Sequence, residues 1–414
     1  MTRTAAEWTA RPRLPATHYV DRRIYTDEGI FREEQEKIFA PTWILACHES
    51  EIAAPYDYRT FRHPAGPNLV LVRGDDGRIR AFFNVCPHRG NALVYEPAGN
   101  ARTLTCIFHA WTFDCRGACT GIARRKEGYQ NRLDPGDVGL RSVRAERGPG
   151  GFVWVNLSDE SPSLAEHLGD SLSVVAPHLT EPLEVFHFQK VRLRTNYKLW
   201  HDTNSEFYHD FIHYFNRITG MQQPGYFDRK YTSFPNGHVS VGSMEVKYDR
   251  YEGGDGQTRR IGWPGLAPGG WLLVDLFPGI TFNLRTSVLR VDTAVPIGPN
   301  EMILELRGLG LARDTAEDRE ARVRDHNTIW GPFGRNLHED FLAVTGQGAA
   351  LGVDPRGAGW LLHGREENAT IHDEIGLRHF YAEWSRRMGR SPSAPFAGGP
   401  SLAFGPEHAG GAEP

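Results

Sequence analysis

The spacing of apolar positions changes along the chain, and with it the elements expected. From Asp27 to Phe39, Ile30, Phe31, Ile38 and Phe39 recur at helical spacing, with Asp27 placed to cap the first turn and Pro41 to end the last, which predicts one amphipathic helix. From Trp43 to about Leu157 the pattern shortens to β-rich runs such as Asn68 to Arg73, Ile79 to Phe83 and Gly151 to Asn156, parted by Gly, Asp and Pro turns. That stretch predicts an all-β domain, closed by a boundary at Ser158 to Pro162. Beyond it Phe186 to Arg194 alternates as a strand, Asn196 to Arg217 reads as one helix, and Trp271 to Val295 reads as paired strands. Thr315 to Asn327 and Asp373 to Met388 read as helices again, so the second domain is α+β. The division expected is a helical segment over 1–42, an all-β domain over 43–157, an α+β domain over 158–390 and a loosely attached tail over 391–414, rich in Ser, Pro, Gly and Ala.

Length and charge narrow the function. A chain of 414 residues with a hydrophobic fraction of 40% can fill more than one core. The net charge is -4, and Lys and Arg are spread along the chain, so neither nucleic acid nor an anionic membrane is an expected partner. Met1 to Pro15 lacks the apolar centre of a signal peptide, and no apolar run approaches the ~18 residues that cross a bilayer. Trp271 to Phe282 comes closest and is interrupted by Asp275 and Pro278. A cytoplasmic protein is expected. Five cysteines, Cys47, Cys86, Cys106, Cys115 and Cys119, suit a reducing compartment, where they serve as core residues or metal ligands.

Two of them carry chemistry. Cys86-Pro-His88 is followed, after 17 intervening residues, by Cys106-Ile-Phe-His109, and each pair closes a β-rich run. Facing loops of this kind bring two thiolates and two imidazoles to one volume. Tetrahedral zinc accepts the same four donors. The order Cys, His, Cys, His gives each loop one sulfur and one nitrogen, so that sulfurs gather on one iron and imidazoles on another, which is Rieske [2Fe-2S] ligation. The strings Cys-Pro-His-Arg-Gly at 86 to 90 and Phe-His-Ala-Trp at 108 to 111 are similar to those of Rieske domains. Cys115 and Cys119 flank a Gly turn and read as small buried residues.

A second constellation lies between Asn196 and Tyr214. On a helix, Asp202, Glu206, His209 and His213 would share one face, beside an aromatic stripe of Trp200, Phe207, Phe211 and Tyr214. Such a stripe is commonly just a solvated face. Here the aromatic neighbourhood implies burial, where ionisable groups need partners or a metal, and a cluster upstream needs an electron acceptor. Two His and one carboxylate form the facial triad of non-haem Fe(II) oxygenases.

A Rieske domain followed by Asn196-Tyr-Lys198 leading into an acid-x-x-His segment resembles the α (large) subunits of Rieske non-haem iron aromatic ring-hydroxylating oxygenases, over roughly residues 25 to 390. The resemblance implies a helix-grip catalytic domain, an antiparallel sheet with helices, on which the N-terminal segment packs. It implies a mononuclear Fe(II) held by His209, His213 and an acid. The usual spacing leaves four residues between the histidines whereas this chain leaves three, with Tyr214 where the second is expected. The late segment Trp330-Gly-Pro-Phe-Gly, running on to Glu339 and Asp340, puts the third ligand on Asp340, with Glu339 as competitor, and Trp330 in the substrate pocket with Phe207 and Phe211. The family's acid bridging the two metal centres falls on Glu206, with Asp202 a turn earlier as the alternative. Implied partners are O2, a small aromatic substrate, a separate NAD(P)H-dependent reductase and a ferredoxin, in an α3 or α3β3 ring. The implied reaction is cis-dihydroxylation or, alternatively, monooxygenation or demethylation. Arg290 and Arg217 are candidates to hold a substrate carboxylate. No dinucleotide fingerprint is present: Gly346 to Gly352 has the wrong spacing. A pure Rieske electron carrier and a zinc-stabilised binding module are the rival readings.

Overall fold

A computed structural model describes residue 14 and residues 18–245, 261–353, 360–364 and 374–393, save for 219, 223 and 333. The expected C-terminal tail beyond 393 and most of the first fifteen residues lie outside the described residues. Asp27 caps the opening helix, its Oδ1 accepting from the Ile30 amide at 2.9 Å. The helix runs Glu28–Glu34 and continues as a wider π turn over Gln35–Phe39, burying Ile30, Phe31, Ile38 and Phe39 together with the carboxylate of Glu34.

That carboxylate needs partners, and two distant elements supply them. Lys198 Nζ and Trp384 Nε1 both donate to Glu34 Oε1, each at 2.7 Å, from the helices Tyr197–Ser205 and Ile375–Met388. Neither charged side chain of the pair is more than 1% exposed.

The all-β part is a seven-stranded antiparallel sheet in the order Ile44–His48, Phe152–Asn156, Ser142–Arg147, Ile79–Phe83, Asn68–Arg73, Asp57–Arg62, Ala98–Asn100. A smaller sheet of Thr103–Thr105, Thr112–Asp114 and Cys119–Gly121 stands beside it. The uninterrupted apolar run Leu69 to Val72 follows from burial on both faces. Leu69 and Leu71 enter the main core, while Val70 and Val72 enter a small core with Phe82, Cys86, Cys106 and Trp111.

The second sheet is also antiparallel and seven-stranded: Leu183–Leu193, Glu301–Leu311, Val288–Gly298, Ile280–Arg285, Gly270–Leu276, His238–Glu245, Tyr231–Phe234. One face presents Leu272, Val274, Phe282, Val291 and Leu309 to Trp43, Phe152 and Trp154. Alternation puts Asp275, Thr281, Asn283, Arg290 and Asp292 on the other face, with Ala294, Leu304 and Leu306, under the helices. The α+β class expected from the sequence is the class observed. Among the described residues no helix is long and apolar enough to cross a membrane.

One expectation fails. Asn196 to Arg217 is not a single helix: the α-helix Tyr197–Ser205 ends at an extended Glu206 (φ −150°, ψ 163°), Tyr208–Ile212 forms a 3-10 turn, His213 is extended, and a short helix resumes over Tyr214–Ile218. The cause is tertiary. Ser205 Oγ donates to Asp275 Oδ2 (2.6 Å) on the sheet, and Gly376 packs so closely on the Ser205 carbonyl that a Cβ there would lie 2.0 Å from its oxygen. Asp202, Glu206, His209 and His213 therefore share no helix face.

Removing one half of the Glu34–Lys198 pair should be costly, because it strands the other charge in the core. Lys198→Met is expected to lower unfolding free energy by about 3–5 kcal/mol, and the double change with Glu34→Leu to recover most of that. Denaturant titration of the two variants checks this; a mild single variant would show that the pair does not tie these helices together.

Candidate functional site

The two Cys–His loops are built alike. Cys86 N donates to Asn91 O at 2.7 Å and Gly90 N returns to Cys86 O at 2.9 Å, while Cys106 N donates to Trp111 O and Ala110 N returns to Cys106 O, both at 2.9 Å. In each loop the fourth residue past the cysteine is left-handed, Gly90 at φ 76° and Ala110 at φ 53°. The same turn is thus made twice at neighbouring strand ends, which is why the motif recurs in the sequence. The imidazoles of His88 and His109 lie with centroids 4.6 Å apart, and His88 stacks on Trp111 at 4.7 Å.

These donors fit an iron-sulfur cluster. Burial and the neighbouring Cys106 push the Cys86 thiol up. At Cys106 burial acts the same way but is outweighed by the amides of Phe108 and His109 and by the Cys86 thiol, leaving it below its ordinary value. His109 Nδ1 is buried without a hydrogen-bond partner among the described residues. None of the five cysteines is in a disulfide. Cys115 and Cys119 are buried in the small core, as expected of structural residues.

The second site forms at the break after Ser205. His209 Nδ1 donates to Glu206 Oε1 at 2.7 Å and His213 Nδ1 donates to Glu339 Oε2 at 2.6 Å. An ionised carboxylate only accepts, so each imidazole holds a proton on Nδ1, and Nε2 is the nitrogen left to ligate a metal. Both Nε2 atoms face Asp340 Oδ1, His213 at 3.2 Å and His209 at 3.6 Å. That oxygen is buried, with the His213 imidazole as its nearer polar neighbour. Glu339 and Asp340 stand in the first turn of the helix Leu337–Val353, where the helix dipole favours negative charge.

Electrostatics says what this cage wants. Burial pushes both imidazoles down, but the surrounding carboxylates prevail: Glu206 and Asp340 lift His209 to about 9, and Asp340 and Glu339 lift His213 to about 10. A site so rich in carboxylate calls for positive charge, and a dication would supply it while using both Nε2 lone pairs. The donor set therefore fits mononuclear iron. Asp210 also brings an oxygen within 4.8 Å of both imidazoles. Its carboxylate is engaged by the Tyr226 hydroxyl and by Asn216, with Arg229 at 3.8 Å, so Asp340, whose Oδ1 faces both Nε2 atoms, is the better donor.

The remaining predicted residues divide. Glu206 touches His209, whereas Asp202 meets the Tyr381 hydroxyl at 3.4 Å and makes no contact with either imidazole. Glu339, weighed in the sequence only as a competing ligand, lies behind His213; two adjacent acids were its only signal. The three aromatics do not form one wall: Phe207 stacks on Tyr231 and Trp271, Trp330 lies beneath Arg290 in the main core, and Phe211 is half exposed. Arg217 is exposed and Arg290 is buried.

Residues 42–136 match the Rieske [2Fe-2S] domain and residues 180–390 match the ring hydroxylating alpha subunit (catalytic domain). The chain is 50% identical over 405 residues to the methanesulfonate monooxygenase hydroxylase subunit alpha of Methylosulfonomonas methylovora, covering 95% of this chain and 96% of that one. It is 42% identical over 393 residues to the 2-aminobenzenesulfonate 2,3-dioxygenase subunit alpha of Alcaligenes sp., covering 94% and 98%. Its fold is similar to that of naphthalene 1,2-dioxygenase from Rhodococcus sp., with a TM-score of 0.76 at 21% identity over 89% of this chain and 94% of that one. Rieske oxygenases take electrons from a separate reductase or ferredoxin and act on small substrates. The chain belongs to the Rieske non-haem iron oxygenases, as an alpha subunit that carries a [2Fe-2S] cluster and a mononuclear iron and acts as the terminal oxygenase.

Proposed function

We propose that this oxygenase acts on an organosulfonate, with iron held by His209, His213 and Asp340 and the cluster by Cys86, His88, Cys106 and His109. The observation that carries the iron assignment is the convergence of both Nε2 atoms on one buried carboxylate oxygen. Bound there, the iron supplies dioxygen activation and the cluster supplies electrons. The protein's own work is positioning: Glu206 and Glu339 fix the tautomer and plane of each imidazole by holding its Nδ1 proton. The two relatives described above both carry a sulfonate in their names, while a terephthalate dioxygenase subunit from Comamonas sp. matches over 90% of this chain at the lower identity of 28%. Monooxygenation of a small sulfonate is favoured by the higher identity to the methanesulfonate enzyme; dioxygenation of an arenesulfonate is the second reading, favoured by the aminobenzenesulfonate relative. Products formed from methanesulfonate and 2-aminobenzenesulfonate under labelled dioxygen, with a reductase supplied, separate them by whether one or two labelled atoms enter. Turnover of unsulfonated arenes alone would remove the substrate class.

The ligand assignments have their own test. His213→Ala or Asp340→Ala should strip the mononuclear iron and turnover while leaving the visible spectrum of the cluster, whereas Cys106→Ala should abolish that spectrum. Glu339→Gln should weaken iron binding by about 10–100-fold. If Tyr214→Phe removes iron and His213→Ala does not, the second ligand is wrongly placed.

The assembly proposed is a head-to-tail ring of three. Val85, Ile107 and Phe108 lie exposed around the cluster loops, and Ile212, Tyr214 and Leu342 lie exposed around the iron site. Two distinct sticky surfaces on one chain close into a ring when each meets the other on a neighbour. Glu206, beside His209, would then lie toward the neighbour's cluster. Subunits with His88→Ala and subunits with Asp340→Ala, inactive alone, should regain a fraction of turnover when dissociated and reassembled together. With subunit exchange confirmed, mixtures that stay inactive would show that each chain serves only its own iron.

A further inference from the structure

The two cluster loops share a backbone turn and differ in the side chain that closes it. Five residues on from each cysteine stand Asn91 and Trp111, whose carbonyls accept from the amides of Cys86 and Cys106. Each of these side chains then reaches across to the opposite loop. Trp111 stacks on His88, its ring 6° from parallel with centroids 4.7 Å apart. Asn91 turns its amide toward the ligand sulfur of the second loop and donates from Nδ2 to Cys106 Sγ at 3.8 Å. The turn itself needs the carbonyl of Asn91 and not its side chain, because Trp111 makes the same turn with a different one. The amide donor is therefore an addition to the loop, aimed at a sulfur.

The orientation of that amide is fixed from two sides. Its second N–H donates to Ala92 O at 2.9 Å, and a carbonyl only accepts, so the nitrogen must lie on that side. On the other side Oδ1 accepts from the Tyr95 hydroxyl at 3.1 Å. Asn91 is half-buried, while Tyr95 lies exposed at the surface. The sulfur of each cysteine also has two backbone amides of its own loop beside it, those of His88 and Arg89 at Cys86 and those of Phe108 and His109 at Cys106. Among the described residues, the side-chain amide at Cys106 has no counterpart at Cys86. An electron entering a [2Fe-2S] cluster forms and breaks no bond of the protein; it adds one negative charge, which the sulfurs share. A donor aimed at one of those sulfurs stabilises the reduced state more than the oxidised one, and such hydrogen bonds are among the levers that set the potential of a cluster.

We infer that Asn91, oriented by Tyr95, donates to the Cys106 thiolate a hydrogen bond that raises the reduction potential of the cluster. The cluster is then easier for the reductase to reduce and passes its electron to the iron with less driving force. This rests on the cluster ligands assigned above. Hydrogen bonds to charged groups are stronger than those between neutral ones. The part that differs between the two redox states is expected to change the one-electron equilibrium about tenfold, which is about 59 mV. Redox titration of the purified cluster-loaded protein, followed by visible absorbance at fixed pH, reads the potential directly. Asn91→Ala keeps the carbonyl that closes the loop and should lower the potential by that amount, with iron and sulfide content unchanged. Tyr95→Phe removes a hydroxyl at the surface and should shift the potential in the same direction by less. A merely structural role for Asn91 would change how much cluster is retained and not the potential of what is retained. If Asn91→Ala leaves that potential where it is, or raises it, the inference is overturned. Should that variant retain no cluster, Tyr95→Phe takes its place, and an unchanged potential there overturns the inference. If the wild type itself holds no iron and sulfide, the cluster ligands are wrongly assigned, which is a different failure from that of Asn91.

Discussion

Behind each imidazole of the iron site stands a carboxylate, and the geometry of the catalytic domain depends on those two hydrogen bonds. Glu206 and Glu339 hold the Nδ1 protons of His209 and His213, so both Nε2 atoms are turned toward the same oxygen of Asp340. Were either tautomer reversed, an N–H would occupy the position a metal needs. The orienting acids differ in kind. Glu206 is local, three residues from its histidine, while Glu339 comes from a helix 126 residues away in sequence, beside the ligand itself. One helix start therefore delivers both a ligand and the group that aims another ligand, and any shift of that helix moves both together.

The scaffold behind this site is polar where it is most buried. Lys198, Glu34 and Trp384 lock the helix Tyr197–Ser205 between the first and last helices. Asp275 takes a hydrogen bond from Ser205 at the point where the helix stops. The ligand segment thus departs from a fixed origin. Its break at Glu206 also brings a carboxylate to His209 through both its Nδ1 and its backbone amide, which Glu206 Oε2 accepts at 3.1 Å. A continuous helix would tie up that amide in its own ladder. The shortened spacing between His209 and His213 is consistent with this: over a 3-10 turn followed by an extended residue, three intervening residues suffice to bring the rings to a common point.

What the sequence could reveal follows the range of the forces involved. The cluster loops were legible because each is a local turn written in consecutive residues, and the strands because alternation and burial are properties of short windows. The helix break was not legible. Asn196 to Arg217 has no Pro or Gly to interrupt it, and the contacts that end it come from Asp275 and Gly376, far off in the chain. Asp340 came only through resemblance, since spacing does not relate residues more than a hundred positions apart. The aromatic stripe expected from Trp200, Phe207, Phe211 and Tyr214 was a product of the imagined helix; once the helix breaks, Trp200 and Phe207 lie in different cores while Phe211 and Tyr214 are exposed.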